Sequence, residues 1–393
     1  MSTRYIYADN AATTRPDEEA VLAMLPYLRE GFGNPSSLYS LGRQAHEGLE
    51  EARAQVATCL GAQPNEIYFT ASGSEADNWA LWGVARQKAK KGHHIVSSKI
   101  EHHAILHTLQ RLEKEGWEVT YLDVDGEGFI DPAAFEAALR PDTVLATIMF
   151  ANNEVGTLQP IKQLASIAHD HGILFHTDAV QAVGHVPINV AELGVDLLSL
   201  SGHKFHAPKG IGALYVRRSV LLPSFINGGG QERGKRAGTE NVAGAVAMVA
   251  ALKKACAEMD TEMPRIAALR DSLCQQILTN IPRTRLNGPA DSSRRLPGNL
   301  NVSVDCVEGE SIVLLMDMKG VAVSTGSACS TGSLDPSHVL LALGLKAETA
   351  HGSVRISLDK ENTEEDADYI FRALESTTQR LRAMSPLWEE PRS

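Results

Sequence analysis

A lysine stands directly after a strongly apolar segment in the middle of the chain. The segment VDLLSLSGHKFH puts Lys204 just past the end of a predicted buried strand. A buried ammonium is costly unless it is paired, so a purely structural role explains this lysine poorly. A partly desolvated lysine has a depressed pKa and becomes an amine nucleophile, suited to a Schiff base with an aldehyde. Lys204 is therefore a candidate nucleophile, although an isolated HK dipeptide would more often be a surface loop.

Polar residues also follow two apolar runs upstream of this lysine. Asp178 follows ILFHT, with Gln181 three residues further on. A carboxylate in that place can keep a pyridinium nitrogen protonated. Asn152 and Asn153 follow TVLATIMFA, where their amides suit a hydrogen bond to a phenolic oxygen. Taken singly, an N-cap for the aspartate and a turn for the asparagines are competing explanations.

A small-residue turn follows the run IYFT. In ASGSEADN, residues Ser72, Gly73 and Ser74 precede a predicted helix. Backbone N–H groups and hydroxyls at a helix N-terminus suit a phosphate, and helix capping is the alternative. Ser201 and His203 are further candidates for phosphate contacts.

One of the five cysteines has unusual surroundings. Cys329 lies in VSTGSACSTGSLDPSH, among Ser, Thr, Gly and Ala and without apolar periodicity. This composition predicts a mobile, exposed loop, in which a thiol can ionise and attack. The other four, Cys59, Cys256, Cys274 and Cys306, are expected to be small buried hydrophobes.

The elements around these residues predict an α/β fold. Short apolar runs alternate with helical patterns between Ile67 and Val216, which indicates a mostly parallel sheet covered on both faces. Ligands of such sheets lie beyond the carboxyl ends of the strands. After about Asp260 the pattern becomes that of a smaller α+β domain, beginning with a helix at Pro264–Ile281. We therefore expect an N-terminal segment (1–15) that packs with the small domain, a large domain (16–260) and a small C-terminal domain (261–393).

Composition narrows the function classes. Of 393 residues, 43% are hydrophobic and 22% are charged, and the net charge is −11, which disfavours nucleic-acid and anionic-membrane binding. The apolar runs are too short to span a bilayer, and MSTRYIYADN lacks the apolar region of a secretory signal. Five single cysteines fit a reducing compartment and give no zinc-finger spacing. We therefore expect a cytoplasmic enzyme that binds neither membranes nor nucleic acids.

Several of these motifs, in this order, resemble those of one family. ASGSEADN, EHHA, ANNEVGT, HTDAVQA, SGHK and RAGTEN resemble the cysteine desulfurases of the NifS/IscS class, which are fold type I pyridoxal-phosphate enzymes. The resemblance extends from YADNAATT to SPLW, essentially the whole chain. One departure is Gly73-Ser74, where relatives usually have a small residue and Thr. The TGSAC pattern resembles the long-loop group of the family.

The resemblance implies a role for each matching residue. Lys204 would form the Schiff base with pyridoxal 5'-phosphate, Asp178 would bind the pyridine nitrogen and His102 would stack on the ring and shuttle protons at the thiol. The phosphate contacts would be Gly73, Ser74, Ser201 and His203, together with Thr239 from the neighbouring subunit of a homodimer. Asn153 and Gln181 would contact the ring oxygen or the substrate carboxylate, and Arg355, with Asn34 nearby, would bind that carboxylate.

The resemblance also implies the reaction and its rivals. An L-cysteine desulfurase converts L-cysteine to L-alanine and leaves the sulfur on Cys329 as a persulfide, for transfer to a scaffold protein of iron–sulfur cluster assembly. It needs no permanent metal, and Cys329 would ligate an iron–sulfur cluster only transiently. A selenocysteine lyase, an aminotransferase or β-lyase, and a non-catalytic scaffold are the alternatives. The tail after SPLW is short, which slightly favours a cysteine desulfurase of nitrogen fixation over one of housekeeping iron–sulfur cluster assembly.

Overall fold

The computed structural model describes residues 5–325 and 335–388. The strands are β1 (Ile6–Tyr7), β2 (Ile67–Thr70), β3 (His94–Ser98), β4 (Glu118–Leu122), β5 (Thr143–Thr147), β6 (Leu174–Asp178), β7 (Leu197–Ser201), β8 (Gly212–Val216), β9 (Thr284–Asn287), β10 (Asn299–Val304), β11 (Val321–Ala322) and β12 (Ser353–Ser357). The helices are α1 (Glu18–Arg29), α2 (Ser40–Leu60), α3 (Gly73–Lys88), α4 (His103–Lys114), α5 (Pro132–Ala138), α6 (Ile161–Asp170), α7 (Val190–Leu193), α8 (Gln231–Gly234), α9 (Val242–Asn280), α10 (Gly309–Asp317), α11 (His338–Ala342), α12 (Ala347–His351) and α13 (Glu364–Met384). Short 3-10 turns cover Pro64–Glu66, Gly202–Lys204 and Ser292–Arg294.

The predicted mostly parallel sheet is confirmed. Its seven strands have the order β2-β8-β7-β6-β5-β3-β4, and β8 alone runs against its two neighbours. Strands β3, β5, β7 and β8 are buried along their whole length. This explains their near-continuous apolar sequences, since a strand covered by helices on both faces meets no water. The carboxyl ends of β5, β6 and β7 therefore lie side by side.

A second apolar core lies in the C-terminal part of the chain. It combines the antiparallel sheet β12-β10-β9 with α10, α13 and the end of α9. The N-terminal strand joins it, because β1 pairs in parallel with β11 and both Ile6 and Ala8 are buried there. The structure thus places β1 against the C-terminal core. The division at residues 15 and 260 stays a prediction.

Helix α9 differs from the expected helix. It begins at Val242, with the Asn241 side chain accepting from the Gly244 N–H, and continues through Pro264 to Asn280. Its first part packs in the large core and its last part packs in the second core. The prediction of a helix start at Pro264 was therefore wrong, because proline at a helix start and proline inside a long helix give the same local signal.

The burial of the cysteines differs from the prediction. Cys274 is buried, but Cys59 and Cys306 are half-buried and Cys256 is exposed, so the expectation of four buried thiols was wrong. Cys256 faces outward from α9, and a single cysteine carries no sequence pattern that indicates which face of a helix it occupies.

Within the described residues, every helix is too short or too polar to span a lipid bilayer.

A buried histidine connects the sequence after Lys204 to the second core. The ring nitrogens of His206 lie 2.9 Å from the Arg15 carbonyl oxygen and 3.0 Å from Asp359 Oδ2. Because both neighbours are acceptors, only the protonated ring donates to both at once. Burial opposes this charge, but the hydrogen bond and charge of Asp359 raise the pKa of His206 overall, despite nearby Lys360. The same contact lowers the pKa of Asp359.

We predict that His206→Asn destabilises the protein in a pH-dependent way. A raised folded-state pKa means that the stabilisation is complete below the unfolded histidine value of about 6.5 and is lost as the pH rises through the folded value. Asparagine tolerates the φ of 67° at this position. The expected loss is about 3 kcal/mol near pH 6, since Asp359 stays buried without its partner, and it should shrink by about pH 9.

Urea unfolding of both proteins at the two pH values measures this difference. His171→Asn is the matched control, because His171 is 42% exposed and its contact with Glu136 is 3.4 Å long. It should change the free energy of unfolding by no more than about 0.5 kcal/mol. An effect of His206→Asn that is equal at both pH values would contradict the assignment of a charged ring.

Candidate active site

A cavity of about 370 Å³ lies at the carboxyl ends of β5, β6 and β7. Ten of the thirteen residues predicted to form the site line it: Gly73, Ser74, His102, Asn153, Asp178, Gln181, Ser201, His203, Lys204 and Arg355. Its remaining walls are Ala11, Ala12, Ser72, Asp77, Met149, Ala151 and Val180. Residues that are far apart in the sequence therefore converge where the parallel sheet was expected to hold a ligand.

The start of α3 forms one wall of the cavity. The Ser72 hydroxyl accepts from the Glu75 N–H at 3.1 Å and so caps the helix. The first N–H groups of a helix have no partner within it, which makes this turn suitable for an anion. A Cβ on Gly73 would lie 2.5 Å from Val180 Cγ2, so the turn needs glycine to pack this closely. The Arg236 guanidinium holds the turn through Glu75 at 2.7 Å.

Lys204 enters the cavity from the 3-10 turn that follows β7. Its ammonium donates to the carbonyl oxygens of Ala11 and Ala12, each at 2.7 Å. The Gln181 side-chain amide donates to the same Ala11 oxygen at 2.9 Å. The N-terminal segment thus supplies backbone acceptors for the candidate nucleophile. Analysis of side-chain types in the sequence missed these two alanines, because carbonyl groups are common to every residue.

Two buried carboxyl groups lie at the bottom of the cavity. Asp178 is at the end of β6 and accepts from the Val180 N–H at 2.9 Å. Burial raises the pKa of Asp178 to about 6, although that hydrogen bond and the Lys204 charge lower it. Asp77, on α3, is 1% exposed, and burial together with the Asp178 charge raises its pKa. Oxygen atoms of both residues and a nitrogen of His102 lie within 4.8 Å of one another.

Sequence analysis also missed Asp77. The signal is an aspartate on the buried face of α3, four residues after Gly73 and four before Leu81. An acid at such a position is rarely fully buried without a reason.

His102 borders the cavity at the start of α4. Its Nδ1 accepts from the Ala104 N–H at 3.1 Å, which leaves the ring proton on Nε2. Burial, followed by the charge of Lys204, lowers the pKa of His102 to about 4. The role of His102 in shuttling protons at the thiol stays a prediction. A neutral ring suits stacking and donation from Nε2, whereas taking up a second proton would break the hydrogen bond to Ala104.

Arg355 projects from β12 of the second core into the cavity. It is 2% exposed, and its Nη1 and Nη2 donate to the Asn153 carbonyl oxygen and to Asp9, each at 2.9 Å. Its Nε is buried and has no hydrogen-bond partner among the described residues. An unpaired buried N–H of a guanidinium is a suitable donor for a ligand oxygen.

Three predicted residues lie elsewhere. Asn34 is exposed, and its Oδ1 accepts from the Ser36 N–H in a turn, so in this chain it is outside the cavity. Thr239 is exposed after Arg236, and its expected contact is with a neighbouring subunit. Cys329, with the predicted mobile loop around it, lies outside the described residues.

The described residues on both sides of 326–334 contact residues on or next to the cavity wall. On the N-terminal side, Ser324 exchanges backbone hydrogen bonds with Arg355, which lines the cavity, at 2.7 and 3.1 Å. On the C-terminal side, the Ser337 hydroxyl donates to buried Glu154 at 2.5 Å, and His338 Nε2 donates to the Glu101 carbonyl oxygen at 3.0 Å. Glu154 and Glu101 are the sequence neighbours of the lining residues Asn153 and His102.

Comparisons with known proteins agree on one family. The aminotransferase class-V profile matches residues 6–370. Curated relatives include the cysteine desulfurase IscS of Clostridium botulinum (strain Hall), 52% identical over 387 residues and 98% of each chain. That of Methanosarcina thermophila is 52% identical over 382 residues, covering 97% of this chain and 94% of the relative.

Solved structures lead to the same family. One described as a NifS-like protein superposes with a TM-score of 0.90 at 38% identity, covering 96% of this chain and all of that chain. Another, SspA in complex with cysteine, gives a TM-score of 0.79 at 36% identity and covers 90% of this chain and 99% of that one. Nearly the whole chain thus aligns with these proteins in sequence and fold. This chain belongs to the cysteine desulfurases of the class-V aminotransferase family.

Proposed function

We propose that this protein is an L-cysteine desulfurase that binds pyridoxal 5'-phosphate and passes the sulfur of L-cysteine to Cys329. The observation that carries the proposal is the convergence of Lys204, Asp178, the α3 turn and Arg355 on one cavity. Each supplies a different recognition element: an amine, a carboxylate, an anion-binding turn and a guanidinium. A binding site for a small, singly charged molecule would need fewer of them.

The residues present fit the cofactor. The unpaired N–H groups at the start of α3, with Ser74, Ser201 and His203, would hold its phosphate. Asp178 would bind the pyridine nitrogen and His102 would cover the ring. The close packing of Gly73 supports this assignment, because a side chain at residue 73 would collide with Val180 and shift the turn. When bound, pyridoxal phosphate supplies an electron sink for a carbanion at the substrate Cα.

Lys204 would hold and move the proton at the substrate Cα. Its contacts with the Ala11 and Ala12 carbonyl oxygens stabilise the ammonium form. Away from these acceptors, loss of the ammonium proton to water would leave a neutral amine, which can then take up the proton of the substrate Cα.

Arg355 would bind the substrate carboxylate. Its free Nε–H accounts for one hydrogen bond, and its burial makes a charge-assisted contact strong. Asp9 and the Asn153 carbonyl oxygen fix the orientation of the guanidinium. The substrate is thereby oriented as an α-amino acid, while its side chain is left facing the rest of the cavity.

Sulfur transfer would belong to Cys329. Its thiolate attacks the substrate sulfur, the Cβ–S bond breaks, and the carbon fragment gains a proton to become alanine. The thiol is oxidised to a persulfide while Cβ is reduced, so L-cysteine and one enzyme thiol give L-alanine and one persulfide without another redox partner. The contacts of Ser324 with the lining residue Arg355, and of Ser337 with Glu154 next to the lining residue Asn153, support this role.

The partners stay proposals. An iron–sulfur scaffold protein would accept the sulfur, in the cytoplasm. A homodimer would bring Thr239 to the phosphate of the neighbouring site. Exposed apolar side chains on α1 and the loop after it are consistent with a covered surface: Leu22, Leu28, Phe32, Leu38 and Tyr39.

We predict that Lys204→Ala abolishes the formation of alanine from L-cysteine, because no amine remains to move the Cα proton. Lys209→Ala is the matched control, since Lys209 is an exposed lysine of the same loop and should retain activity. Alanine and sulfide are quantified in the presence of a reductant. Near-normal alanine production by Lys204→Ala would overturn the assignment.

Gly73→Ala is expected to weaken pyridoxal-phosphate binding by about tenfold or more, which corresponds to about 1.4 kcal/mol. The added methyl group collides with Val180 and shifts the turn. Gly126→Ala is the control, because nothing lies within 4 Å of its new Cβ and its φ is unstrained. Titration of the cofactor-free proteins measures both dissociation constants, and equal values would exclude the turn as the phosphate site.

Cys329→Ser should bind the cofactor and L-cysteine but form little alanine or sulfide, because a hydroxyl cannot replace a polarisable thiolate. Mass spectrometry of the wild-type protein after L-cysteine treatment should show a reductant-labile gain of one sulfur, about 32 Da, on Cys329. Cys256→Ser, which removes an exposed thiol, is the control and should stay active. Full activity of Cys329→Ser would favour a β-lyase or an aminotransferase. A strong preference for selenocysteine over cysteine as the substrate would favour a selenocysteine lyase.

A further inference from the structure

A chain of buried polar side chains crosses the large sheet below the cavity. Thr147, His176 and Ser199 lie on the adjacent strands β5, β6 and β7, and none of them is exposed to solvent. The His176 ring bridges its neighbours, with Nδ1 2.8 Å from Thr147 Oγ1 and Nε2 3.0 Å from Ser199 Oγ. Buried polar groups cost free energy unless they are paired, so a polar chain in an otherwise apolar sheet calls for a function.

The chain lies against Asp77. The His176 Nε2 atom is 3.8 Å from Asp77 Oδ1. Burial and the Asp178 charge raise the pKa of the Asp77 carboxyl group overall, although nearby Ser199 acts to lower it. Burial lowers the pKa of His176 to about 3, so this ring is neutral and brings no positive charge to the carboxyl group. Asp77 Oδ1 has no hydrogen-bond partner among the described residues.

Asp178 has the contacts that Asp77 lacks. The Val180 N–H donates to its Oδ1, and the Lys204 ammonium favours its ionised form. Two buried carboxylates this close repel each other strongly, so one of them takes up a proton. The different contacts of Asp77 and Asp178 decide which of the two carboxyl groups is protonated. Charge stays on Asp178, and the proton goes to Asp77.

We propose that Asp77 is a positioning residue that stays protonated at neutral pH, so that Asp178 carries the only carboxylate charge toward the pyridine nitrogen of the cofactor. The neutral His176 ring, held between Thr147 and Ser199, lies beside the Asp77 carboxyl group and gives it no counter-charge. The inference rests on the proposed function, since it assigns the cofactor nitrogen to this end of the cavity. It gives a role to a buried acid that the reaction itself does not use.

Two substitutions separate the charge of Asp77 from its polarity. Asp77→Asn is neutral and polar, whereas Asp77→Leu is neutral and apolar. The dissociation constant of pyridoxal phosphate should stay within about threefold for Asp77→Asn and rise by about tenfold or more for Asp77→Leu. Asp178→Asn is the reference for loss of the anion and should show the larger rise. Ser199→Ala, which removes only the link to His176, gives a second test of the chain if Asp77→Leu fails to fold.

Infrared spectroscopy of the cofactor-free protein gives a readout that does not depend on activity. The carbonyl stretch of a protonated carboxyl group at neutral pH should be present in the wild-type protein and lose intensity in Asp77→Asn. Glu101→Gln is the matched control, because burial raises the pKa of Glu101 to about 8. That variant should lose its own carboxyl signal and leave the cofactor dissociation constant unchanged.

The results of these experiments distinguish a protonated Asp77 from an ionised one. If Asp77→Asn weakens cofactor binding as much as Asp178→Asn, or if it leaves the infrared signal intact, Asp77 is an anion and the inference fails. If Asp77→Leu and Ser199→Ala both bind the cofactor normally, the polar chain has no positioning role. If the wild-type protein does not bind pyridoxal phosphate at all, the proposed function fails, while the infrared signal still reports the proton on Asp77.

Discussion

The ammonium of Lys204 binds the carbonyl oxygens of Ala11 and Ala12, and the architecture of the site follows from the need for that contact. A cation in a closed cavity needs acceptors, and the end of β7 alone does not provide them. The N-terminal segment supplies them and must itself be held in place. It is fixed to the large domain by the Thr14 N–H, which donates to the His203 carbonyl oxygen, and to the second core by Asn10 and Ser357. One side chain thus requires three parts of the chain to meet.

Burial, rather than exposure to water, sets the electrostatics around this lysine. It raises the pKa of Glu101 to about 8 and that of Glu154 to about 7, and these acids lie on the loops after β3 and β5. A neutral carboxyl group can donate as well as accept, so it acts as a structural polar group. Glu154 accepts from Ser337, and Glu101 accepts from Ser98 and the Met149 N–H. The site therefore contains many acids and few full negative charges.

The sequence predicts most of the large domain because the alternation of strands and helices there also indicates which residues lie at the carboxyl ends of the strands. Strand β2 has the bounds of the predicted run IYFT, and residues after buried strands line the cavity as the carboxyl-end rule requires. Arg355 and Asn34 are different, since only the family resemblance singles them out. The structure brings Arg355 to the cavity through an antiparallel sheet that no local pattern connects to the large one. Asp77 was not predicted because it lies within a regular helical pattern. The Ala11 and Ala12 carbonyl groups were not predicted because every residue type has a backbone carbonyl group.

The pairing of β1 with β11 has a consequence for the order in which the protein folds. Strand β1 is synthesised more than three hundred residues before its partners at 321 and 322. Contacts over such a distance form late, because the intervening loop must close first. The large sheet can fold during synthesis before the N-terminal segment pairs with β11. The lysine cavity is therefore completed only after β11 and Arg355 have been synthesised.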